Sequence, residues 1–194
     1  MNLKYFFVNK FENEDLRIEA FERPGNTSTE EDNEDKTDFL LEDSIGYVWV
    51  MDGASPLSDS ILKNEVSDGR WYVETLNKSL RDEIKASNFD RDIENIIKTA
   101  LESVKKAYKA EIDHGLEDIS AFSTPSSKIS LARWDLEEGI LETYDLGDSA
   151  HIVWLKGSKD YVKHGGPENM DEKVFDAMKL IQSHEQDMEA LNSF

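Results

Sequence analysis

Ile45-Gly46-Tyr47-Val48-Trp49-Val50-Met51 is an almost continuous apolar run that stops at Asp52-Gly53-Ala54-Ser55-Pro56. Such a run reads as a strand buried on both faces. The turn-forming residues behind it end it abruptly. A buried strand that delivers a carboxylate and a glycine into a turn is a common way to place a site at the rim of a core.

Upstream, residues 3–8 are rich in aromatic and β-branched types and read as a strand. Residues 15–22 set Leu16, Ile18, Ala20 and Phe21 against Arg17, Glu19 and Glu22, which predicts a second strand with one buried face. Arg23 to Lys36 reads as a polar loop with a proline, a glycine and five carboxylates, among them Glu30, Glu31 and Asp32, a run that reads as solvated.

Downstream, Trp71, Val73, Leu76, Leu80 and Ile84 recur at helical spacing and predict a helix over 66–86. Ile93, Ile96, Ile97, Ala100, Leu101, Val104, Tyr108 and Ile112 predict another over 90–113, with Asn88 or Asp90 as its cap and Gly115 at its end. Strands are expected at 127–134 and 140–146 around an Asp135–Gly139 turn. Gly147-Asp148-Ser149 turns the chain into a strand at 150–155, and Lys156-Gly157-Ser158 is a further hairpin turn. A last helix is expected over 171–192. Strands, two helices, strands and a helix make the class α+β, with helices packed outside sheets, in one domain over residues 1–194.

Composition narrows the partners. Among 194 residues, 42 are acidic and 22 basic, a net charge of −20 that repels nucleic-acid backbone and anionic membranes. Hydrophobic residues make up 38%, enough for a core. The charge suits divalent cations, which prefer carboxylate oxygen. An acidic mimic of nucleic acid is disfavoured by the ordered apolar strands. The absence of cysteine excludes disulfides, thiolate zinc sites and cysteine nucleophiles. The first ten residues hold too short an apolar run for a signal peptide, and no stretch approaches a membrane span, so a soluble, cytoplasmic protein is expected. His114, His151, His164 and His184 show no ligand spacing, and Trp49, Trp71, Trp134 and Trp154 lie in apolar faces and read as core. Ser55 and Ser149 lack a histidine–acid arrangement for nucleophilic catalysis.

Three short acidic elements stand at strand ends: Asn33-Glu34-Asp35, Asp52-Gly53 and Gly147-Asp148-Ser149. Each alone is a common turn. In this order and spacing, joined by the apolar strand Val48–Asp52, the two helices and the Ser123–Ala132 small-residue segment entering a strand, they resemble the metal-dependent protein phosphatase 2C family. The likeness runs from about residue 15 to 156. It implies an α-β-β-α layered β-sandwich flanked by helices, with Mn²⁺ or Mg²⁺ between the sheets. It further implies that Asp52 bridges two ions, that the Gly53 carbonyl ligates one, and that Asp35 holds the site directly or through water, with Glu34 beside it. Asp148 is implied near an accessory third ion. The implied reaction is hydrolysis of phosphoserine or phosphothreonine in a protein by metal-activated water.

Two features depart from that pattern. The family's later Asp-Gly and Asp-Asn motifs have no counterpart, since Asp160, Asp171, Asp176 and Asp187 are followed by neither Gly nor Asn, so a fold incomplete in its last strands is expected. The family's phosphate-binding arginine has Arg23 as its one counterpart, twelve residues ahead of Asp35, and no phosphate-binding residue is assigned. Two functions therefore compete: a metal-dependent phosphatase acting on phosphorylated proteins, and a catalytically degenerate or truncated relative that binds or regulates.

Overall fold

A computed structural model describes residues 6–12, 17–22, 33–56, 62, 66–112, 124–147, 150–154 and 161–165. The chain divides into two compact units, Met1–Ser149 and Ala150–Phe194. The expected helix at 171–192 and the turns at 148–149 and 156–158 lie outside the described residues.

The first unit is α+β. β1 (Phe6–Glu12) and β2 (Arg17–Glu22) form an antiparallel ladder that lies against β3. β3 (Asp35–Glu42), β4 (Ile45–Ala54), β5 (Ser126–Asp135) and β6 (Ile140–Leu146) form an antiparallel sheet in chain order. α1 (Asp68–Ala86) and α2 (Ile93–Glu111) pack on one face of it. In the second unit, β7 (Ala150–Trp154) pairs antiparallel with β8 (Tyr161–Gly165).

Alternation along β4 divides the sheet into two faces. Tyr47, Trp49 and Met51 point to the helices and are buried. Leu40 on β3 and Ile129 and Leu131 on β5 share that face. The helices answer with Val73, Leu76, Leu80 and Ile84 from α1 and Ile93, Ile96, Ile97, Ala100 and Val104 from α2, at the three- and four-residue spacing of an apolar stripe. The opposite face is less covered: Val50 is 46% and Leu141 47% exposed. The strand expected to be buried on both faces is fully buried only on the helix side; on the other side Gly46 is buried, Val48 half-buried and Val50 exposed, while Thr37, Ala132 and Trp134 of the neighbouring strands are buried. Gly46 leaves room for the Trp134 indole on that second face, where a Cβ would collide with the ring.

The helix starts are capped by short side chains. The Ser67 hydroxyl accepts from the Arg70 amide at 3.2 Å, and Asp92 accepts from the Asn95 amide at 2.9 Å. Asp92, rather than Asn88 or Asp90, is thus the α2 cap. Asn88 and Phe89 instead take positive φ in the turn between the helices. Tyr47 fastens that turn to the sheet: its hydroxyl donates to the carbonyls of Phe89 at 3.3 Å and Arg91 at 3.0 Å, and the two rings meet at 5.8 Å. Burial raises the Tyr47 pKa, against the pull of the nearby Arg133 guanidinium, so the phenol stays a donor at neutral pH.

β3 replaces what the sequence read as the end of a loop followed by no assigned element. Its helix-facing positions are Lys36, Asp38, Leu40 and, at the exposed end, Glu42, so the alternation is broken by a buried carboxylate at Asp38. Asp38 is held by the Asn77 amide at 3.1 Å and the Arg81 guanidinium at 2.5 Å, and Asn77 in turn accepts from the Trp49 indole at 2.8 Å. A buried charge is tolerated because it is paired and hydrogen-bonded.

Candidate metal centre

β3 and β4 pair without a bulge, and the register sets Asp35 directly opposite Asp52. Directly opposed residues of an antiparallel pair project to the same face, with Cα atoms about 4.5–5.5 Å apart. The two carboxylates therefore share the face away from the helices, at one end of the sheet. Asp52 lies inside β4 rather than in a turn beyond it, two residues before the strand ends at Ala54. Asn33 shapes the entry to β3, its side-chain oxygen accepting from the Asp35 amide at 3.2 Å.

Glu34 goes elsewhere. Its carboxylate accepts from the Ser55 amide at 3.2 Å and from the Ser55 hydroxyl, and that hydroxyl accepts from the Gly69 amide at 3.1 Å. The carboxylate thus lies over the first turn of α1, where the helix dipole favours negative charge. A Cβ on Gly69 would stand 2.6 Å from the Glu34 carboxyl carbon. Consecutive residues entering a strand diverge, so Asp35 takes one side of the sheet and Glu34 the other.

Gly53 is where α1 crosses the strand. Its amide donates to the Glu34 carbonyl at 3.0 Å, and a Cβ there would stand 2.6 Å from that oxygen and 3.0 Å from the Gly69 carbonyl. The glycine after Asp52 is therefore required by backbone crowding on the helix side, whatever its carbonyl does.

Lys128 completes the Asp35–Asp52 end. It sits opposite Asp52 on β5, and its ammonium lies 3.4 Å from the Asp52 carboxylate. Both heads are open to solvent, with side chains 46% and 62% exposed. Gly147, at φ +96°, follows β6 and leaves room for the Lys128 stem, since a Cβ there would stand 2.9 Å from Cγ. Asp148 follows directly but lies outside the described residues, as does Arg23. Lys128 escaped the sequence reading because an isolated lysine in an alternating strand looks like a solvated position. Only the register shows which acid it meets.

Among the described residues, no three His, Asp or Glu side chains gather in a way that could hold an ion. Asp35 and Asp52 supply two hard oxygen donors on one face, the donor type that Mg²⁺ and Mn²⁺ take, and they fit as part of a coordination shell completed by water or further ligands. Compared with known proteins, the chain matches no family model and no curated sequence. Among the described residues, no helix is long and apolar enough to cross a membrane.

Proposed function

We propose that this chain is a metal-dependent phosphatase domain of the protein phosphatase 2C kind, hydrolysing phosphoserine or phosphothreonine in cytoplasmic proteins. The observation that carries the reading is the Asp35–Asp52 register. Two like charges directly opposed on one sheet face repel, and a shared cation turns that cost into coordination. Asp35 and Asp52 would hold Mn²⁺ or Mg²⁺, with Asp148, one residue past the Gly147 that abuts Lys128, as a further carboxylate. The bound ion would supply an acidified water and charge neutralisation at a phosphoryl group. The chain's own contribution is to fix two carboxylates on adjacent strands backed by a packed core. On this reading the four-stranded sheet is one layer of an α-β-β-α sandwich, and the exposed Val50 and Leu141 belong to the face a second sheet would cover.

The Lys128–Asp52 ion pair favours a second reading, a non-catalytic relative that binds or regulates, since an ammonium already stands beside the carboxylate that would hold the ion. Calorimetric Mn²⁺ titration and p-nitrophenyl phosphate hydrolysis, each on wild type and Asp52→Asn, separate the two. The phosphatase reading expects binding and turnover in wild type and loss of both in Asp52→Asn, with an unchanged melting temperature because Asp52 is exposed. Binding without turnover supports the second reading. Turnover that survives Asp52→Asn overturns metal-site hydrolysis here.

A further inference from the structure

On the face carrying Asp35 and Asp52, the strand positions of the four-stranded sheet include Asp35, Thr37, Phe39 and Leu41 from β3 and Gly46, Val48, Val50, Asp52 and Ala54 from β4. β5 adds Ser126, Lys128, Ser130, Ala132 and Trp134, and β6 adds Leu141, Thr143 and Asp145. Lys128 is the one basic residue in this set. The sheet's other cationic side chains face the helices: Lys36 meets Glu74 at 3.2 Å, and Arg133 meets Glu142 at 2.9 Å. Lys128 also stands at the same end of the sheet as the two aspartates, in the row Asp35, Asp52, Lys128 across three strands. Its stem runs past Gly147, where a Cβ would collide with it, while its ammonium reaches Asp52.

We infer that Lys128 is a built-in counter-cation that sets the metal affinity of the Asp35–Asp52 site, an inference that rests on the metal-site reading above. The lysine neutralises part of the carboxylate charge in the ion-free protein. A divalent ion arriving between the aspartates must displace the ammonium from Asp52 or bind against its repulsion. Either route weakens binding by the interaction between one unit charge and two at close range. The solvent exposure of both heads keeps the effect moderate. Lys128 is thus a positioning residue acting through Asp52. It gives a chain of net charge −20 a way to limit indiscriminate cation capture at this one pair.

The test is Mn²⁺ titration of wild type, Lys128→Met and Lys128→Arg by calorimetry, with the bound ion followed by its paramagnetic resonance signal. Asp52→Asn is the control, and circular dichroism checks each variant for folding. The inference expects Lys128→Met to bind Mn²⁺ about three- to tenfold more tightly than wild type. It expects Lys128→Arg, which keeps the charge, to stay within about twofold of wild type. Asp52→Asn should lose binding. Equal affinity in wild type and Lys128→Met overturns the inference and leaves the metal-site reading standing. Tightening in Lys128→Arg equal to that in Lys128→Met overturns it too, since the charge would not be the cause. No Mn²⁺ binding in any folded variant, Lys128→Met included, overturns both.

Discussion

The two faces of the four-stranded sheet are built from the same strands and share almost nothing else. The helix-facing side is closed by apolar contacts from Tyr47, Trp49, Met51, Ile129 and Leu131, and its buried carboxylate on β3, Asp38, is tied to Arg81 and Asn77. The other side holds Asp35, Asp52 and Lys128 at one end and leaves Val50 and Leu141 half open. The main apolar cluster is on the first face, while the second buries only Thr37, Gly46, Ser130, Ala132 and Trp134. The second is free to carry charges that a packed core would not accept. Alternation makes this division possible within a single strand, so neighbouring residues on β4 answer to different demands.

The sharpest way to break that contrast is to truncate neighbours. Trp49→Ala removes a side chain that is 1% exposed and leaves Asn77 without its indole donor. It should cost about 3–5 kcal/mol. Val50→Ala, one residue on and 46% exposed, should cost less than about 1 kcal/mol. Urea unfolding of the two variants checks the difference. Comparable losses would mean that the second face is as tightly covered as the first.

Gly53→Ala comes next. It sets a methyl group against the Glu34 and Gly69 carbonyls, both backbone atoms with little room to retreat. We expect a loss of about 1–3 kcal/mol by overpacking. Because the crowding is on the helix side, Mn²⁺ affinity at Asp52 should fall less steeply than stability does, as paired melting and titration curves would show. A variant of wild-type stability would mean that α1 does not press on this strand as described.

Much of the helix-facing side was legible in the sequence, because β4, α1 and α2 advertise their burial through apolar periodicity. β3 was not, since Asp38 occupies a position where the pattern calls for an apolar residue. Its partners, Asn77 and Arg81, lie about forty residues away in the chain, and no local pattern reveals them. The site was legible as a set of acidic elements but not in its division. Glu34 and Asp35 read as one motif, whereas Glu34 serves the start of α1 and Asp35 faces Asp52. Which acid Lys128 meets depends on the β4–β5 register, and because two helices separate those strands in the chain, no hairpin turn fixes that register locally.

The smallest expected effect concerns the helical layer that distinguishes the two faces. The Asp92 carboxyl is held below its ordinary range, first by the Asn95 backbone amide and then by the Asn95 side chain, which lies 2.6 Å away. A carboxyl depressed in the folded state binds its proton less readily there than in the unfolded chain. Its contribution is therefore complete above the unfolded value of about 3.9 and fades as pH falls through the lower folded value. Many of the 42 acidic residues titrate in the same window, so the absolute melting temperature says little. The difference between wild type and Asp92→Ala isolates this one group. It should be constant from neutral pH down to about pH 5 and shrink towards zero in stronger acid. A difference that persists undiminished at the acid end would mean that Asp92 stabilises α2 through its neutral side chain, and that the charge at this cap adds nothing to the layer over the buried face.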